Sequence, residues 1–208
     1  MKKVLFGSGN INKFNDIQKI AHAVGFELVM PRDLVGHSSI KSAPPKVVED
    51  SGSYFGNAML KARQYADWSG LPCVVDDSGL EISALNGAPG VETANYAGSG
   101  GSDTAIQDKI LVELQGINNR QARFYSLMVY RDPSLSGVVV AEGILNGNIT
   151  QEPRGTSGWG QEPIFEVAGL GQTISELRDN GTLKQTHRLI AAQNLFEALF
   201  RLFPINNS

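Results

Sequence analysis

Two neighbouring carboxylates, Asp76 and Asp77, follow the apolar run Leu71-Pro72-Cys73-Val74-Val75 and lead into Ser78-Gly79. Adjacent acids repel, and desolvation of either one favours its neutral form, so the pair is costly unless something neutralises it. A divalent cation does so. Mg²⁺ takes hard oxygen ligands, one or two of them carboxylates, and completes its shell with water and phosphate oxygens. Asp-Ser-Gly is also a common solvated turn, so these residues alone leave both readings open. The pattern predicts a strand ending at Val75 with an acidic turn hanging from it.

Two further segments carry groups suited to phosphate. Ser8-Gly9-Asn10-Ile11-Asn12-Lys13 lies between an apolar strand and a helix, where free backbone N–H groups and the positive end of the helix dipole attract anions. Its glycine spacing fits neither the P-loop nor the dinucleotide fingerprint, and a plain strand-to-helix turn explains it as well. His187-Arg188 stands at the start of the last helical pattern. Arginine suits bidentate recognition of oxygen groups, and capping or solvation is the alternative. Cys73, the single cysteine, sits in an apolar run and reads as a buried, inert thiol.

The elements that must position these groups follow from periodicity. Lys3 to Gly7 reads as a buried strand, and Phe14, Ile17, Ile20, Ala21 and Val24 form one helical face that stops at Gly25. Glu27 to Met30 forms a second strand, and residues 31–53, rich in Pro, Ser, Gly and charge, read as a long loop over a site. A helix follows with Phe55, Ala58, Met59, Ala62, Tyr65 and Ala66 inward and Asn57 and Lys61 on another face, ending near Gly70. Leu80 to Leu85, Ala122 to Tyr130 and Val138 to Leu145 alternate as strands, Thr104 to Leu114 is helical, and Leu189, Ala192, Phe196 and Leu199 mark a last helix. Alternating helices and strands indicate a mixed-sheet α/β protein.

Bulk properties exclude several classes. The 208 residues carry 18 basic and 21 acidic side chains, a net charge of −3, so the dense positive field that a polynucleotide backbone requires is missing. No apolar run approaches the roughly 20 residues of a membrane span. With one cysteine and no export signal, a reducing cytoplasm is the expectation.

The strongest signal is the ordered set: Ser8-Gly9-Asn10 with Lys13, Asn57-Ala58 with Lys61-Ala62, Asp76-Asp77-Ser78-Gly79-Leu80, Gly87-Ala88-Pro89-Gly90-Val91, Arg154-Gly155 with Gly158-Trp159-Gly160, Pro163-Ile164-Phe165, and His187-Arg188. From Val4 to Leu199 it resembles the inosine triphosphate pyrophosphatase family, enzymes that remove non-canonical purine nucleoside triphosphates. The resemblance implies an α/β fold, an elongated mixed sheet flanked by helices, forming one domain over 1–208 whose two lobes enclose an active-site cleft, and a homodimer. It implies Mg²⁺-dependent cleavage of ITP, dITP or XTP between the α and β phosphates, giving a nucleoside monophosphate and pyrophosphate. Carried over by position, Ser8, Gly9, Asn10, Ile11, Asn12 and Lys13 bind the triphosphate with Lys61. Asp77 is the catalytic base and a metal ligand with Asp76 beside it, and Glu49 and Asp50 stand where the second acidic ligand belongs. Ser78 contacts substrate, and Trp159, Gly160, Gln161, Glu162, His187 and Arg188 hold the base, with Lys184 as a nearby cation.

Departures from the family pattern gather around the base. The usual Gly-Phe-Gly-Tyr-Asp-Pro is Gly158-Trp159-Gly160-Gln161-Glu162-Pro163, the lysine expected five residues before the histidine is Thr182, and a usual arginine is Asn95. An aromatic face at Trp159 still stacks on a base. These changes leave open a different base preference, or a nucleotide-binding sensor with weak catalysis.

Overall fold

Asn10 starts the first helix: its side chain accepts hydrogen bonds from the N–H groups of Asn12 and Lys13 at 2.9 and 3.1 Å, satisfying donors that a helix N-terminus leaves free. Ser53 does the same for the helix that carries Lys61, and Gly70 closes that helix in the left-handed conformation. The computed structural model describes residues 1–36, 40 and 42–203. Its strands are β1 Lys2–Phe6, β2 Phe26–Val29, β3 Cys73–Ile82, β4 Pro89–Gly90, β5 Gln121–Arg131, β6 Val138–Ile149 and β7 Phe165–Val167. Its helices are α1 Ile11–Ala23, α2 Pro31–Leu34, α3 Tyr54–Ser69, α4 Asp103–Glu113, α5 Ile174–Asp179 and α6 His187–Leu202.

The sheet runs β2-β1-β3-β5-β6-β7, with β4 beside β3. It is mixed: β1 pairs parallel with β2 and β3, while β3–β4 and β6–β7 are antiparallel. The chain forms two compact units. One contains residues 1–77, 126–143 and the segment from His187 onward. Its core brings Val4, Phe6 and Val74 of the sheet against Ile17 and Ala21 of α1 and Ala191, Leu195 and Phe196 of α6. Gly143 of β6 is required there, because a Cβ would overlap the backbone of His187 and Ala191. The other unit contains residues 78–125 and 144–186. It packs Leu80, Ile82, Phe124, Ile149 and Phe165 against Ile106 and Ile110 of α4 and Leu177 of α5.

The α/β class, the mixed sheet and most elements match the sequence reading, and four differences matter. The acidic segment is not a turn: β3 continues unbroken from Cys73 through Asp76, Asp77 and Ser78 to Ile82. Turn propensity yields here because both acids find cations, which removes the advantage of solvating them. On α3, Phe55 is half exposed whereas Asn57 and Lys61 are buried at 2% and 7% exposure, so the polar stripe faces inward. In the 31–53 segment, Pro31–Leu34 is a short helix, with Asp33 accepting from Met30 N at 2.9 Å. Residues 37–39 and 41 of that loop lie outside the described ones. Finally, β7 and α5 lacked a clear periodicity. The capping box of Thr173 and Glu176 starts α5 and was the available signal.

Candidate active site

Consecutive residues of a strand point to opposite faces, and in β3 this separates the two acids. Asp76, its side chain fully buried, accepts from Ser126 Oγ at 2.5 Å on Oδ1 and meets Lys13 Nζ at 2.7 Å and Arg188 Nε at 3.2 Å on Oδ2. Burial alone raises a carboxyl pKa, but Lys13 and Arg188 hold Asp76 well below the usual carboxylate range. Arg188 also reaches Asp16 of α1 at 3.3 Å. The result is a buried network that joins β3, β5, α1 and α6.

Asp77 belongs to a second cluster. Lys61 Nζ lies 2.7 Å from Asp77 Oδ1, 2.9 Å from Glu49 Oε2 and 3.0 Å from the Asp76 carbonyl oxygen. Burial pushes the Asp77 carboxyl up to about 6, and the Glu49 carboxyl adds to that push against the pull of Lys61. Its second oxygen, Oδ2, is buried without a hydrogen-bond partner among the described residues. Asn57 steadies the loop bearing Glu49, accepting from Ser51 N at 3.1 Å and Ser51 Oγ at 2.8 Å.

The donor set at Asp77 and Glu49 fits a hard divalent cation. Two carboxyls share one lysine, and an orphaned buried oxygen needs a positive partner. Asp50 is exposed and is not drawn in: among the described residues no group of three His, Cys, Asp or Glu side chains gathers as a metal set. Of the two candidates for the second acidic ligand, Glu49 joins Asp77 at Lys61.

Ser8 to Lys13 form the turn from β1 into α1, with Ser8 Oγ accepting from Asn10 N at 3.1 Å. Gly9, Ile11 and Asn12 are exposed, while Lys13 turns inward to Asp76. Ser78 continues β3 and is partly buried. His187 is the first residue of α6, and burial together with Arg188 pushes its pKa well below the ordinary value, so the ring is neutral. Burial likewise pushes the Cys73 thiol up, as expected of an inert side chain.

In the second unit, Trp159 is partly buried and Gly160, Gln161 and Glu162 are buried. Asn95, Thr182 and Lys184 are exposed, and the Thr182 hydroxyl donates to Asn180 Oδ1 at 2.5 Å. Ser126, Asp16 and Arg178 were not singled out from sequence. Ser126 gave one faint sign, a hydroxyl among the apolar residues of β5, and Asp16 another, one helical turn from Lys13. Ser126→Ala removes a buried hydroxyl donor from Asp76 Oδ1. The expected cost is about 1–3 kcal/mol, read as a lowered denaturation midpoint, with a weaker hold on triphosphate through Lys13.

Comparison with known proteins extends this picture. The Ham1 family model matches residues 4–198. A dITP/XTP pyrophosphatase from Methylococcus capsulatus is 38% identical over 201 residues, covering 95% of this chain and 96% of that protein. The structure of a HAM1 protein from Coxiella burnetii superposes with a TM-score of 0.84 at 30% identity, covering 97% of this chain and 100% of the other. A Staphylococcus aureus Ham1 protein gives 0.82 at 30% identity over the same shares. With the match running from β1 into α6 through every segment that builds the two charge clusters, the chain belongs to the Ham1 family.

Proposed function

We propose that this protein hydrolyses non-canonical purine nucleoside triphosphates, ITP, dITP and XTP, to the nucleoside monophosphate and pyrophosphate, with Mg²⁺ as cofactor. The observation that carries this reading is Asp77 Oδ2, a buried carboxyl oxygen without a hydrogen-bond partner among the described residues, beside Lys61 and Glu49. The relatives named dITP/XTP pyrophosphatase supply the substrate class.

Cleavage of a phosphoanhydride needs charge neutralisation and an aligned water more than covalent help. Asp77 and Glu49 would hold Mg²⁺, which when bound supplies positive charge against the phosphate oxygens. Asp77 takes a proton from the attacking water. Lys61 keeps Asp77 and Glu49 together. In the turn from Ser8 to Asn12, where the N–H groups of Ser8, Asn10 and Asn12 are taken up by Phe6 O, Ser8 Oγ and Asn10 Oδ1, those of Gly9 and Ile11 face the triphosphate together with the Lys13 ammonium. Asp76, enclosed by Ser126, Lys13 and Arg188, positions those cations rather than touching substrate. Ser78 contacts substrate, and the base is assigned to Trp159, Gly160, Gln161 and Glu162, with His187, Arg188 and Lys184 contributing from the chain that follows. Asp50 serves as an outer acidic group. The chain works as one pyrophosphatase domain and as a homodimer, in a reducing cytoplasm; no helix among the described residues is long and apolar enough to cross a membrane.

The test is a panel of canonical and deaminated triphosphates scored for pyrophosphate. Release from ITP, dITP and XTP with Mg²⁺, abolished by a chelator and restored by added Mg²⁺, is the expected result. Tight nucleotide binding without pyrophosphate from any of them would establish the sensor reading instead.

A further inference from the structure

The loop that carries Trp159 is tied down within the second unit by side chains from α4 and α5. Asp103 Oδ2 accepts from Gly160 N at 2.7 Å, and Gln107 Nε2 donates to Gly160 O at 2.6 Å. Asp179 accepts from the N–H groups of Thr156 and Ser157 at 2.7 and 2.8 Å. Glu162, only 5% exposed, accepts from Trp159 N at 3.2 Å. Both of its carboxyl oxygens are also engaged by Arg178: Nε donates to Oε2 and NH2 to Oε1, each at 2.8 Å. A Cβ on Gly158 would overlap Glu162 Oε2, so the backbone leaves open the space that this carboxyl fills. A two-pronged guanidinium–carboxyl pair fixes orientation as well as position. Arg178 stands four residues before Thr182, the site of the missing lysine, while Thr182 and Lys184 are both exposed.

We infer that Arg178 is a positioning residue for the base: by engaging both oxygens of Glu162 it makes that acid the anchor of the Trp159 loop instead of an acceptor for the purine. The inference rests on the assignment of Trp159 to Glu162 to the base. A carboxyl offers about four acceptor sites, and three are used here within the protein. The base is then held chiefly by the Trp159 ring, whose stacking tolerates any purine. Loosening the anchor therefore weakens inosine and xanthosine nucleotides alike and leaves the phosphate groups untouched.

The experiment compares Arg178→Met, Glu162→Gln and the double variant by kcat and KM for ITP and XTP, with the inhibition constant of inorganic tripolyphosphate as a base-free control. Each single variant is expected to raise KM for both substrates about tenfold, the size of a weakened stacking contact, with kcat within about threefold. The double variant should be no worse than either single one, since both remove the same pair. Tripolyphosphate inhibition should not change. Arg178→Lys, which retains charge but loses the fork, should raise KM by less, and it carries the test if Arg178→Met does not fold. A rise in KM with Glu162→Gln but not with either Arg178 variant would overturn the inference, because Glu162 would then contact the base itself. Additive effects, or unchanged KM throughout, would also overturn it. If the unmutated protein releases no pyrophosphate and tripolyphosphate does not bind, the proposed function fails first and the inference falls with it.

Discussion

Asp77→Asn abolishes pyrophosphate release while leaving the protein folded: the expected loss in kcat is on the order of 10³, the scale of removing a general base. Asparagine keeps the shape of the side chain and still accepts from Lys61, so the 2.7 Å contact is retained in neutral form. What disappears is the acceptor for the proton of water. The stability of the metal-free protein supplies an independent check. The Asp77 carboxyl rises from 3.8 to about 6 on folding. Between those values this carboxyl binds more protons in the folded protein than in the unfolded chain, so its own contribution to stability falls as pH rises from roughly 4 to roughly 6. The effect is on the order of 3 kcal/mol. Asp77→Asn should remove that component, so denaturation curves of the two proteins with chelator, taken at pH 4 and pH 7, should converge at the acid end. A variant that turned over near the unmutated rate would place the base elsewhere.

Asp76→Asn, one residue away, is expected to act in the opposite manner and destabilise the fold. Asp76 is enclosed by two cations and the Ser126 hydroxyl, and removing its charge leaves Lys13 and Arg188 buried and repelling each other. Removing one partner from a buried ion pair costs roughly 3–5 kcal/mol, which for a chain of this length lowers Tm by roughly 10 °C. Its folded pKa is depressed, so the stability it contributes is present above the ordinary carboxyl range and is lost only as pH falls far below it. The measurement is a thermal melt of both variants at neutral pH. Equal melting temperatures for Asp76→Asn and Asp77→Asn would refute the division of labour between the two acids.

That division shows where the sequence stopped being informative. Two acids in succession look alike as letters, and Asp-Ser-Gly carries the local preference of a turn. Continuation of β3 through Asp77 reverses this, because the pleat sends one carboxyl to Lys13 and Arg188 and the next to Lys61. The same limit applies to α3. Its inward face was expected to be apolar through Phe55, yet it includes Asn57 and Lys61, since burial of a lysine is favourable only where acids from β3 and the 49–53 loop meet it. Ser126 and Asp16 had no motif to mark them, being 50 and 60 positions from Asp76 along the chain. Arg178 became visible only once α5 brought it to Glu162.

By itself the sequence determined the α/β class, most of the helices and strands, the order of the motif segments and hence the family, because these depend on local periodicity, on capping and turn residues, and on which residue types recur at given spacings. It also located the inert thiol and the charged segments. Tertiary structure alone decided which carboxyl is spent on holding cations and which keeps an oxygen without a partner, that Glu49 rather than Asp50 reaches Lys61, and that Glu162 is tied to an arginine. The physical reason is that the work of an ionisable side chain depends on its burial and on the charges within a few ångströms. In this protein the charges around Asp76 and Asp77 come from α1, α3, the loop before α3 and α6, segments far apart along the chain that fold into one unit, while the charge at Glu162 comes from α5 within the other.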